Sequence, residues 1–144
     1  MASRHRSREL AVQIVYQWEL DPQSLIDPNV LDRFWKEQAR SEDSNRPFFE
    51  FLVKGVANNL PMIDKTLQET LKNWKSSRVE KVDLAVLRVG LFELLYSDQD
   101  PQTDSPVVIN EALEIAKKFG NSGSPGFING ILDALIKKRT PKRE

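Results

Sequence analysis

The sequence predicts an all-α protein, a compact bundle of about seven helices. Prolines follow side-chain N-cap residues at Asp27-Pro28, Ser105-Pro106 and Ser124-Pro125, which is typical of helix starts. Apolar residues recur with a helical period, and no run alternates with period two for long enough to indicate a sheet. The predicted helices cover 4–20, 28–40, 46–58, 61–74, 79–96, 106–119 and 125–138.

The first helix, 4–20, has two sides that are not simply solvated. Its core stripe consists of Leu10, Ala11, Ile14, Val15 and Trp18. A second ridge on another side consists of His5, Val12 and Tyr16. A helix that is buried on one side needs only the first stripe. The second ridge therefore indicates either a partner surface or, for Tyr16, a core-edge position with its hydroxyl in water.

The next helices are marked by their starts. Asp27 precedes Pro28 at the second helix, and Asn59 before Leu60-Pro61 is a looser signal of the same kind for the fourth. The segment 82–95 reads VDLAVLRVGLFELL and is apolar nearly all round, which predicts a central helix packed on several neighbours.

Three charged residues interrupt this central segment: Asp83, Arg88 and Glu93. Each is expected to reach solvent, a salt partner or another molecule, because an unpaired buried charge is too costly. Gly90 in the helix interior costs about 1 kcal/mol relative to alanine. A close helix crossing would be a sufficient reason for it.

The last two helices have clear inward stripes. In 106–119 the stripe is Val108, Ile109, Ala112, Ile115, Ala116 and Phe119, and in 125–138 it is Ile128, Ile131, Leu132 and Leu135. Gly120 is predicted to end the first of these two helices in a left-handed conformation.

Composition excludes several classes of protein. The chain has 144 residues, so we expect one domain, 1–144, and its 40% hydrophobic content is ordinary for a soluble protein. It has no cysteine, which excludes disulfides and thiolate chemistry and agrees with a reducing compartment. No apolar run is long enough for a membrane span, and no secretory h-region follows the N-terminus. We expect a cytoplasmic protein.

The net charge of zero conceals a separation of charge. The end segments 1–8 and 137–144 together carry eight cations and only one acid, Glu144. The residues between them carry the compensating excess of acids. Such segments are either solvated ends or arms that bind an anion, commonly a nucleic acid.

No catalytic arrangement is evident. The only histidine, His5, lies in the basic terminus, and no phosphate-binding loop motif is present. The glycine-rich stretch 120–126 is predicted to be a connector between helices, although its backbone amides would suit a phosphate at the start of the last helix. The residues favour a binding protein rather than an enzyme.

Four segments, in order, resemble the NusB family of bacterial transcription antitermination factors. They are RHRSRELAVQIVYQWEL (4–20), VDLAVLRVGLFELL (82–95), VVINEALEIAKKFG (107–120) and FINGILDAL (127–135). The resemblance implies a fold of two packed helical subdomains. It also implies that the protein binds the boxA element of nascent RNA as a heterodimer with NusE, the small-subunit ribosomal protein. The complex would join NusA, NusG and RNA polymerase, with no catalytic activity and no cofactor.

The resemblance also implies site residues. RNA contacts carry over to Arg4, His5, Arg6, Arg8, Ser124 and Phe127. His5 replaces a usual cation, and core packing is favoured over base stacking for Phe127. NusE contacts carry over to Tyr16, Asp83 and Arg88.

Two other functions remain open at this point. The chain also resembles the NusB-like RNA-binding domain of some ribosomal RNA cytosine methyltransferases, which would give it a role in ribosomal RNA maturation. A helical scaffold that binds only protein is the third reading. The free protein is expected to be a monomer or a homodimer, and the basic tail 137–144 either contacts RNA or is a solvated end.

Overall fold

The computed structural model describes residues 4–21, 27–38, 45–71, 79–96 and 104–139. All the described secondary structure is helical, which confirms the predicted all-α class. The helices are α1 (Arg4–Leu20), α2 (Pro28–Gln38), α3 (Arg46–Asn58), α4 (Leu60–Leu71), α5 (Lys81–Tyr96), α6 (Ser105–Phe119) and α7 (Ser124–Arg139). Residues 39–40 and 72–74 of the predicted helices lie outside the described part of the chain.

Helix α5 is the centre of the bundle. It packs against α1, α3, α4, α6 and α7, and eleven of its residues are buried. On one side of it α1 packs on α2 and α3, and on the other α6 packs on α7. The division into two helical subdomains stays a prediction, since α1 also contacts α6 and α4 contacts α7.

The predicted stripes form the core, with one exception. Leu10, Ala11, Ile14 and Val15 of α1 are fully buried, and so are the four stripe residues of α7. Phe119 was expected to face inward from α6, but its side chain is 36% exposed. It lies at the last position of α6, where the neighbouring helices no longer cover it.

Two predicted capping roles are wrong. Asp104, not Ser105, caps α6, because its carboxylate accepts a hydrogen bond from the Val107 amide. Asn59 directly precedes α4 as predicted, and its carbonyl accepts from the Ile63 amide, but its side chain caps the end of α3 instead, because its amide donates to the Gly55 carbonyl. Asp27 behaves as predicted and accepts a hydrogen bond from the Asn29 amide.

Two of the glycines lie where any side chain would collide with a neighbouring residue. Gly120 ends α6 as predicted, but its φ of −95° is not left-handed. A Cβ there would lie 2.4 Å from the Ser124 hydroxyl. At Gly90 an added Cβ would meet Leu132 at 3.4 Å, which is ordinary contact and does not require glycine. The close approach occurs instead at Gly55, where a Cβ would lie 1.9 Å from the Phe92 ring.

None of the helices in the described parts of the chain has the length and apolar character needed to cross a membrane.

Candidate nucleic-acid interface

The basic N-terminal turns of α1 divide into a surface part and a buried part. Arg4, His5 and Arg6 are partly exposed, whereas Arg8 is only 3% exposed. This difference follows from helix geometry, because Arg8 lies one turn further along α1, where α5 and α6 close over it. The segment therefore does not present four equivalent cations.

Arg8 joins three helices through ion pairs. Its Nε lies 2.7 Å from Glu93 Oε1 on α5, and its Nη1 lies 2.9 Å from Glu111 Oε1 on α6. Both guanidinium contacts are charge-assisted hydrogen bonds. The predicted RNA contact by Arg8 is therefore not supported, because the side chain would have to leave two carboxylates to reach a phosphate.

Glu93 is the buried partner of Arg8. Its side chain is 4% exposed, and its Oε2 has no hydrogen-bond partner among the described residues. Burial raises the pKa of Glu93, and the opposing effect of Arg8 does not cancel this rise. The salt partner that the sequence predicts for Glu93 is thus Arg8 of α1. Sequence spacing could not identify this partner.

His5 lies between two carboxylates rather than facing only solvent. Its Nδ1 is 2.5 Å from Glu111 Oε2, and its Nε2 is 3.2 Å from Glu9 Oε2. The imidazole is nevertheless 40% exposed, so it remains at the surface of the basic segment.

The carboxylate of Glu9 is the shared ion-pair partner of Arg6 and Lys118. Its carboxylate is 3.0 Å from Arg6 Nη1 and 3.2 Å from Lys118 Nζ of α6. Burial alone would raise the pKa of Glu9, but the hydrogen bonds from Arg6 and Lys118 outweigh it and lower that pKa. Lys118, whose side chain is 55% exposed, is therefore a further cation at this surface. The sequence placed it only on an outward face of its helix.

The start of α7 differs from the prediction. Ser124 is 1% exposed, and its hydroxyl accepts a hydrogen bond from the Asn121 amide. Its side chain closes the turn between α6 and α7, so a direct RNA contact by Ser124 is not supported. Phe127 is half-buried and packs against the core, in agreement with the favoured packing role.

A groove opens beside the second half of α1. Its volume is about 490 Å³ and its lining is mostly apolar. The lining residues are Val12, Gln13, Tyr16, Gln17 and Leu20 of α1, Phe34 and Gln38 of α2, Val82 of α5 and Phe119 of α6. Two residues of the predicted second ridge, Val12 and Tyr16, thus line the groove, whereas His5 does not, and the exposed Phe119 lines it from α6.

Asp83 lies next to this groove in the first turn of α5. It is 5% exposed, and its Oδ1 has no hydrogen-bond partner within the part of the chain that is described. A carboxylate in a first turn is stabilised by the helix dipole. An unsatisfied buried oxygen beside Val82 is what a partner that donates a hydrogen bond would complete.

Arg88 is buried in the middle of α5, at 5% exposed. Its guanidinium contacts both carboxylate oxygens of Asp64, at 2.9 and 3.0 Å, and it also contacts Glu19 and the ring of Trp18. Burial alone would lower the pKa of Arg88. The hydrogen bonds from its guanidinium to Asp64 and Glu19 outweigh that effect, so the pKa is raised. These contacts join α1, α4 and α5, and the NusE contact of Arg88 stays a prediction.

Comparison with known proteins identifies what the chain resembles. The NusB family model matches residues 5–137. The transcription antitermination protein NusB of Geotalea uraniireducens is 40% identical over 140 residues, with 94% of each chain covered. A solved structure of NusB from T. maritima has a TM-score of 0.80 at 31% identity, covering 98% of this chain and 96% of that one.

A further similarity to a solved structure concerns the fold alone. One chain in a crystal structure of the antitermination factors NusB and NusE in complex with double-stranded RNA has a TM-score of 0.79 at 21% identity. The match covers 94% of this chain and 96% of that one.

Proposed function

Because the chain belongs to the NusB family, we propose that it is a transcription antitermination factor that binds boxA RNA together with NusE. Its relatives carry the name transcription antitermination protein. The function proposed for the chain is binding and not catalysis. A protein of the same fold occurs in a complex of NusB and NusE with double-stranded RNA. In this proposal the whole chain, 1–144, acts as one RNA-binding domain in the cytoplasm.

The RNA surface in this proposal is the partly exposed end of α1. Arg4 and Arg6 supply charge to the phosphates, and Lys118 adds a cation from α6. His5 contributes a ring and, when protonated, a charge. Phe127 remains a candidate contact at its half-buried position, whereas Arg8 and Ser124 act beneath the surface.

The NusE surface in this proposal is the groove beside the second half of α1. Tyr16 and Val82 line the groove, and Asp83, a predicted NusE contact of α5, directly follows Val82 in the first turn of that helix. The same groove would be the contact between two copies when the free protein is a homodimer. NusA, NusG and RNA polymerase would join the RNA-bound heterodimer.

The observation that carries the proposal is the division of α1 into two parts. Its first turn presents cations at the surface, and its later turns line an apolar groove on another side. One rigid helix thereby serves two ligands of different chemistry. A protein-binding scaffold would need the groove alone.

The test is the binding of a fluorescent boxA RNA, measured by anisotropy, with and without NusE. We expect RNA binding that becomes tighter when NusE is present and that weakens as salt rises. Tight binding that NusE does not change would favour a role in ribosomal RNA maturation. NusE binding without any RNA binding would leave only the protein scaffold.

A further inference from the structure

A cluster of aromatic side chains reaches the surface beside the basic end of α1, outside the residues predicted from the sequence to bind RNA or NusE. This aromatic patch consists of Phe48 and Phe51 on α3 and Tyr96 at the end of α5. Phe51 is 45% exposed, and Phe48 and Tyr96 are half-buried. Phe48 and Phe51 are three residues apart and therefore share one face of their helix.

Packing on the buried ring of Phe92 fixes the position of the patch. The ring centroid of Phe51 lies 5.1 Å from that of buried Phe92 and 5.9 Å from that of Tyr96, which it meets edge to face. Gly55, one turn after Phe51, leaves the space that the Phe92 ring fills. Phe51 therefore rests on a fixed ring and has little freedom to turn into the core.

The patch is continuous with the basic segment of α1. The guanidinium of Arg4 lies 4.6 Å from the centroid of the Phe48 ring, within the range of a cation–π contact. Phe48 in turn lies 6.2 Å from Phe51, centroid to centroid. A cation, the half-buried Phe48 ring and the exposed Phe51 side chain thus follow one another along a single surface.

This combination has a specific ligand chemistry. Proteins bind single-stranded nucleic acid with a positive track for the backbone and with aromatic rings on which unpaired bases stack. A protein partner would use the apolar area of the patch but would gain little from the neighbouring guanidinium. The Arg4 contact therefore favours nucleic acid over an apolar protein surface.

We propose that the aromatic patch of Phe48, Phe51 and Tyr96 stacks unpaired bases of an RNA strand whose backbone passes Arg4. This inference rests on the proposed RNA-binding function and extends its site from α1 onto α3 and α5. The patch adds affinity by stacking, which does not depend on salt in the way that phosphate contacts do.

The experiment compares Phe51→Ala, Phe51→Leu and Phe51→Trp in a titration of single-stranded boxA RNA with NusE present, at several salt concentrations. Met62→Ala is the matched control, because Met62 is an exposed apolar residue of α4 at 42%. Loss of one stacked base corresponds to a loss of affinity of about fivefold or more. We expect that loss for the alanine and leucine variants at every salt concentration, with the slope against salt unchanged. The tryptophan and Met62 variants should bind like the wild type.

Phe51→Leu keeps most of the packing on Phe92, so it separates stacking from folding if the alanine variant is unstable. Replacing single bases of the RNA by abasic sites provides a second measurement. At the stacked position, the abasic RNA and Phe51→Leu should not weaken binding additively. Wild-type affinity for both the leucine and alanine variants would overturn the inference while leaving the proposed function intact. A wild-type protein that binds no RNA would overturn both.

Discussion

Arg8 shows how far a residue's role depends on contacts that are distant in sequence. It lies in a cluster of cations, and the family resemblance implies an RNA contact for it as for its neighbours. Its partners Glu93 and Glu111 are 85 and 103 residues away along the chain. The same holds for Arg88, which is paired with Asp64 and Glu19. Sequence predicts that such charges need partners, but not which ones.

At this scale we predict that Arg8→Ala destabilises the fold by about 3–5 kcal/mol, because it leaves Glu93 buried without its cation. The free energy of unfolding in urea measures this. Arg6→Ala is the control, since Arg6 is partly exposed and its ion pair with Glu9 contributes about 1 kcal/mol or less. Equal stability of the two variants would contradict the structural role of Arg8.

Helices are the scale at which sequence predicts most reliably here. The proline-marked starts, the apolar stripes apart from Phe119, and the central position of α5 all follow from local patterns, and the structure confirms them. The errors are local as well. Asp104 replaces Ser105 as the cap of α6 because either side chain can accept the same amide hydrogen bond. Gly90 and Gly55 cannot be ranked from sequence, because only the packed neighbour shows which one is crowded.

Two of the glycines inside helices, Gly55 and Gly130, provide a matched test of packing. Gly55→Ala should destabilise by about 1–3 kcal/mol, since the new Cβ would overlap the Phe92 ring. Gly130→Ala should stabilise by about 0.5–1 kcal/mol, because no atom lies within 4 Å of its added Cβ and alanine favours a helix. Thermal or urea unfolding measures both. Similar effects from both would show that α3 and α5 do not meet as described.

At the scale of the whole molecule, the central feature is the use of one helix for two surfaces. Sequence predicts the two sides of α1, and resemblance to the family supplies their ligands. Neither the sequence nor the resemblance predicts that Lys118 lies at the basic end of α1 or that Phe119 lines the groove. Neither predicts that Phe48 and Phe51 lie beside the basic surface. Each of these depends on how separate helices meet.

The most direct test of this division is a salt-dependent titration of boxA RNA with NusE held constant, comparing the double variant Arg4→Ala/Arg6→Ala with Lys65→Ala, an exposed lysine of α4. Removing two phosphate contacts should weaken binding and reduce the slope of log affinity against log salt by about 1.4 for a single strand. Lys65→Ala should leave both unchanged. Wild-type affinity and slope in the double variant would contradict the assignment of the N-terminal end of α1 to RNA.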